Sequence, residues 1–142
     1  MGRDEGSASL EFITAGMLLL LPMVYLVLVM SALQGGAFAV EGAARQAVSV
    51  FVRAENEQAA RAVAERAIGV ALADYGLGSS ASEVQISCDP GACLTRLRPV
   101  TVSVRVSVPL PLVPPMLDLA VPLSIPVQAS ATQQVSRFWG AR

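Results

Sequence analysis

The chain has 142 residues, of which 54% are hydrophobic, 15% charged and 5% aromatic, and its formal net charge is −1. That balance offers no basic surface for nucleic acid, and the absence of His removes the commonest general base and metal ligand. The length allows one small domain beside an anchor.

The N-terminal third holds the strongest pattern. From Gly6 the sequence reads GSASLEF and runs on through Val40, and residues 12–40 contain no Asp, Glu, Lys, Arg or His. The most apolar portion, Phe12 to Leu33, spans roughly 33 Å as a helix, enough for a hydrocarbon core of about 30 Å. A cleaved signal peptide has an apolar core of only about 7 to 15 residues, so an uncleaved signal anchor fits better. Glu11 stands at the lip of this run. A carboxylate there must be protonated, reach the head groups or meet a cation, which makes it a functional candidate as well as a marker of the helix end. A cut after Gly6 would leave a new amine on Ser7 and place Glu11 fifth in the mature chain, one helical turn away. The two groups can then pair, within one chain or between copies.

GSASLEF followed by a long apolar run resembles the start of type IV prepilins, and most closely the small TadE-like pseudopilins of the tight-adherence (Tad) pilus system. The resemblance covers roughly Gly6 to Phe51. Ser7 replaces the Phe that opens many type IV pilins, and Phe12 stands where the major Tad pilins usually have Tyr. The resemblance implies cleavage at the Gly6–Ser7 junction by a membrane prepilin peptidase, and docking of Glu11 against a neighbour's new N-terminus. The implied partners are the membrane, that peptidase and other pilin-like subunits. Charge does not set the orientation, because Arg3 is opposed by Asp4 and Glu5, and Arg45 and Arg53 alternate with Glu41 and Glu55. A cytoplasmic N-terminus in a bacterial inner membrane follows from the short leader and the resemblance.

Within the span, Pro22 lacks an amide donor and is expected to bend the helix or loosen its hydrogen bonding nearby. Ser31, Gly35, Ala39, Ala43 and Ala47 recur every four residues, a ridge of small side chains on which another helix can pack closely. From Glu41 to Tyr75 the pattern is amphipathic, with Ala44, Val48, Phe51, Val52, Ala60, Val63, Ala64, Ala67, Ile68, Ala71, Leu72 and Tyr75 at three- and four-residue steps. Arg53, Glu57, Arg61 and Glu65 form an alternating ladder on the other face. Gly76 suits a left-handed helix cap. One helix from Ser9 to Tyr75 would be about 100 Å long, so a hinge near Gly35 and Gly36 is expected.

After Gly76 the period changes to two. Val84, Ile86 and Cys88 alternate with polar residues, as do Val100, Val102, Val104, Val106 and Val108, which predicts strands with one buried face. A third run places Leu117, Leu119, Val121, Leu123, Ile125, Val127, Ala129 and Ala131 on one side. Pro122 and Pro126 on its other parity predict a sheet edge, or an irregular first half before a regular strand from about Val127. Cys88 and Cys93 enclose Asp-Pro-Gly-Ala, so a disulfide across a hairpin turn is expected in an extracytoplasmic domain, the alternative being two unpaired thiols. Without His the two Cys cannot complete a usual metal site.

The expected fold is α+β: a long N-terminal helix packed on a small three-stranded antiparallel sheet. The expected divisions are a leader at 1–6, a transmembrane helix at 7–40, an amphipathic stalk helix at 41–76 and a β-rich extracytoplasmic head at 77–142. No catalytic triad, phosphate loop or HExxH helix is present, so neither enzyme activity, a cofactor nor a small-molecule substrate is expected. Two functions remain open: a minor pilin or pseudopilin, and an unprocessed membrane-anchored binding module.

Overall fold

An apolar run broken only by small residues favours one long helix. In the computed structural model, helix α1 runs from Ser7 to Phe51 without interruption, with Pro22 inside it. The structure describes residues 7–78, 82–88, 91–112 and 123–140. Residues Leu10 to Leu28 of α1 are exposed along the whole stretch, whereas Ala39, Val40, Ala43, Ala44, Ala47, Val48 and Phe51 are buried. One helix therefore serves two environments. Its first part is long and apolar enough to span a membrane and is exposed rather than packed in the head, consistent with a single-pass anchor. Its last part is the spine of the head.

The single stalk helix expected over 41–76 is in fact two. The chain turns at Val52–Asn56, and helix α2, Glu57–Ala73, runs back along α1. The physical cause is a gap in the apolar stripe: nothing between Arg53 and Ala59 is buried, so a continuous helix would have no side chain to pack there. Asn56 then starts the new helix, its Oδ1 accepting from the Ala59 amide at 2.9 Å. The charge ladder is interrupted for the same reason, because Arg53 lies in the turn and Glu57 is drawn elsewhere. The expected hinge at Gly35 and Gly36 is absent, since α1 passes straight through both. At the far end of α2, Gly76 adopts φ +69° and the Leu77 amide donates to the Leu72 carbonyl at 3.0 Å, forming the left-handed cap that the glycine predicts.

Three strands complete the fold: β1, Ser82–Cys88; β2, Pro99–Pro109; and β3, Ser124–Gln134. They form one antiparallel sheet in the order β1-β2-β3. The pairing Ile86↔Val102↔Ala131 and Val84↔Val104↔Ala129 keeps the apolar parities of all three strands on one face, as the alternation requires. All five valines of β2 that face α1 are at most 4% exposed. Each contributes about 1.5–3 kcal/mol by leaving water. The opposite face is polar, with Thr101 and Thr132 hydroxyls 2.8 Å apart across the strands. β3 is regular from Ser124, three residues earlier than the sequence suggests, and Pro126 is tolerated because β3 is an edge. The rest of the third run, including Leu117, Leu119, Val121 and Pro122, lies outside the described residues.

α1 packs against α2 on one flank and against β2 and β3 on another, while α2 also borders β1 across a shallow cleft. Two neighbouring glycines mark the division. A Cβ on Gly35 would lie 3.9 Å from Cδ1 of Tyr75, just past the end of α2, while one on Gly36 would come within 2.4 Å of Val108 in the sheet. The Gly35, Ala39, Ala43 and Ala47 positions continue the face turned to α2. The ridge of small residues thus receives a helix of its own chain over this length, and Ser31, exposed one turn earlier, lies beyond it.

Candidate functional site

The head has a membrane end and a tip. Gly36 meets Val108 and Val127 at one end of the strands, whereas the other end, Pro99 and Gln134, adjoins Val135, whose amide donates to Arg98. The adjacent Trp139 donates from Nε1 to the Ala54 carbonyl at 2.9 Å, which fixes that end of the sheet beside the interhelical turn. From residue 36 to 54 a helix rises about 27 Å, and from Pro99 to Val108 a strand rises about 30 Å. The strands therefore run along α1 from the membrane end to the tip.

The tip is built from three irregular segments. Cys88 at the end of β1 is joined to Cys93, with Cα atoms 5.1 Å apart. Cys93 is not on the partner strand: β1 and β2 are linked by residues 89–98, and Cys88 pairs across the sheet with Val100. The disulfide accordingly pins the connecting loop to the end of β1 and does not clamp a tight hairpin. Glu57, at the first position of α2, accepts from the Cys93 amide at 2.7 Å, tying that loop to the helix pair. Arg96 Nε donates to the Trp139 carbonyl at 2.8 Å, tying it to the C-terminal segment as well. The roles of Glu57 and Trp139 are not apparent in the sequence pattern. A lone Trp near an otherwise polar end is the one available signal, because a half-buried indole needs an acceptor.

This arrangement predicts the redox behaviour. The native protein should resist thiol alkylation until it is reduced, and reduction should lower stability by about 2 kcal/mol for so short a loop. Intact-mass measurement after alkylation with and without reductant reads the first effect, and ready labelling of both thiols without reductant would place the head in a reducing compartment.

At the opposite extreme, Glu11 lies on α1 one turn after Ser7, exposed, and pairs with no cation among the described residues. The ion pair found among those residues is Arg45–Glu41, on the surface of the head. Gly6 lies outside the described residues, while Ser7 is the first residue of α1. Glu11 and the cysteines are therefore at opposite ends of the molecule and form no common site. Two shallow clefts are present, one of about 410 Å³ between α2 and β1 and one of about 480 Å³ between α1 and α2. The first is lined by Glu65, Ile68, Gly69, Ser82 and Val84, the second by Gln46, Arg66 and Asp74 among others, and neither gathers an acid–base pair. Among the described residues no three His, Cys, Asp or Glu side chains come together to hold a metal.

Comparison of the chain with models of protein families, with characterised proteins and with solved structures finds no match.

Proposed function

We propose that the chain is a structural subunit of a Tad-like or type IV-like pilus system, a minor pilin or pseudopilin held in the bacterial inner membrane with its head outside. It is cleaved between Gly6 and Ser7 by a prepilin peptidase and docks through the N-terminal part of α1 against other pilin-like subunits. Its role is assembly, with no catalysis. The observation that carries this proposal is that α1 is both anchor and spine: one unbroken helix carries an exposed apolar half and, in its second half, the core of an α+β head. A continuous helix of this kind couples the position of the membrane-embedded end to the head. Glu11 supports the same proposal, being exposed at the start of the helix and unpaired with any described residue.

The test is the mature N-terminus. Intact mass or N-terminal sequencing of the protein extracted from membranes that contain an active prepilin peptidase should give Ser7 as the first residue. Retention of Met1 or Gly2 would remove the pilus assignment and leave an unprocessed, anchored binding module.

A further inference from the structure

The membrane end of the head is unusually apolar for a surface left exposed. Phe38, Tyr75, Leu112, Leu123 and Ile125 are 64%, 53%, 73%, 46% and 37% exposed, although they come from α1, the cap of α2 and the two ends of the β2–β3 connection. Their level is fixed by the packing. Tyr75 lies against the Gly35 position, and Val108 lies against Gly36. Ile125 is directly opposite Val108, and Leu123 lies one step further along, its carbonyl accepting from the Leu110 amide at 3.1 Å. Because the strands run along α1, that step leads from Gly36 toward the apolar half of the helix. Phe38 is five residues beyond Leu33, about 7.5 Å along the axis. The head-group layer on each side of the hydrocarbon is about 5–7 Å deep. Helical side chains lean toward the N-terminus, so the Phe38 ring reaches back to the outer edge of that layer, while Tyr75, Ile125 and Leu123 lie at the Gly35–Gly36 level or nearer the membrane, and Leu112 follows two residues after Leu110 at the same end. Among the described residues at that level, 34–38, 74–78, 107–112 and 123–126, the one charged side chain is Asp74.

We propose that this end of the head is a lipid-contact surface, with Phe38, Tyr75, Leu112, Leu123 and Ile125 seated in the interfacial layer of the outer leaflet around the exit of α1. The continuity of α1 is what selects lipid as the occupant: a helix that crosses the bilayer and enters the head without a break leaves no gap for another protein between head and membrane. Aromatic and long aliphatic side chains are favoured at that depth. With Asp74 as the one charge among the described residues at that level, the contact works by apolar burial and not by attraction to anionic lipids, so salt should not weaken it. The effect is to hold the head upright and limit its tilt. The inference requires the anchor and is independent of the pilus assignment.

The full chain, reconstituted in phosphatidylcholine nanodiscs, provides the test. Phe38→Trp and Leu112→Trp, each in a Trp139→Phe background, place a fluorophore on the collar, and Phe138→Trp in the same background places one at the tip, where Phe138 is 69% exposed. The collar tryptophans should be quenched by lipids brominated near the head groups, and several-fold less than the tip tryptophan by aqueous acrylamide, equally at low and high salt. Hydroxyl-radical footprinting of the unmutated chain reads the same surface without substitutions, and Phe38 and Tyr75 should be protected while Phe138 is oxidised. Collar tryptophans as open to acrylamide as the tip, with Phe38 and Tyr75 oxidised freely, would overturn the proposal. Shielding from both acrylamide and brominated lipid would also overturn it, since it would show the collar covered by a second copy of the head.

Discussion

Gly35→Ala and Gly36→Ala, one residue apart on the same helix, should change the stability of the head in opposite directions. Both replacements relieve the entropic cost of a helical glycine, worth roughly 0.5–1 kcal/mol. At Gly35 the new methyl would meet only Tyr75 Cδ1 at 3.9 Å, an ordinary contact, so the substitution should raise stability by about that amount. At Gly36 it would lie 2.4 Å from Val108 Cγ2, with Val127 Cγ2 next at 3.5 Å. Val108 is buried and β-branched, with few rotamers open to it, so the sheet itself must move away from α1. Overpacking of this kind costs about 1–3 kcal/mol, which exceeds the helix gain. For a head of this size, a loss of 1–2 kcal/mol lowers the melting temperature by on the order of 10 °C. Melting of the detergent-solubilised full chain, followed by near-ultraviolet circular dichroism, reads both effects. Gly36→Leu should widen the difference, because its longer side chain extends toward Val127 as well. If both alanine variants raised the melting temperature alike, the glycine pair would be a flexible joint and the sheet would not dock there.

That pair also shows how much was legible in the sequence. Two adjacent glycines in a helix read as a hinge because their lack of side chains is all that a linear pattern records. In the fold they are close-approach points for two different neighbours, one on each flank of α1. The sheet was legible because period-two alternation fixes which residues share a face whatever the partner, and the register keeps the predicted inward residues of β1 and β2 on one face, although Val84 on the edge strand stays 37% exposed. The break at Val52–Asn56 was present in the sequence as a polar interval ending in an Asn that can cap a helix, but alanine-rich amphipathy on both sides hid it. In the sequence Glu57 reads as part of a surface ladder, whereas its acceptor role toward Cys93 depends on a contact 36 residues away, which no local pattern encodes. The cysteines pair as their spacing predicts, but across a loop and not a tight hairpin turn, because sequence spacing does not say where β2 begins.

Glu11→Gln should leave the molecule folded and inserted yet unable to hold its pilin-like partners. The variant removes the charge while keeping the shape and part of the hydrogen bonding of the side chain. Glu11 lies in the exposed half of α1, away from every buried residue of the head, so the disulfide and the melting of the head should be unchanged. A neutral amide is also easier to place at the membrane boundary than a carboxylate, so insertion should be no worse. Cleavage after Gly6 should proceed, since the junction itself is untouched. What the proposed docking would lose is the pairing with the new Ser7 amine of a neighbouring subunit, and an ammonium left facing a neutral amide in a poorly hydrated contact is costly. Co-purification with pilin-like subunits from the membrane should therefore fall to background, and surface filaments should fail to appear wherever this subunit is needed to start them. A Glu11→Asp variant, which keeps the charge on a shorter arm, should retain part of the complex, and that partial retention separates loss of charge from loss of shape. Wild-type amounts of complex and of filaments with Glu11→Gln would sink the docking mechanism, leaving Glu11 as the aqueous end of an anchor whose head still stands on the membrane.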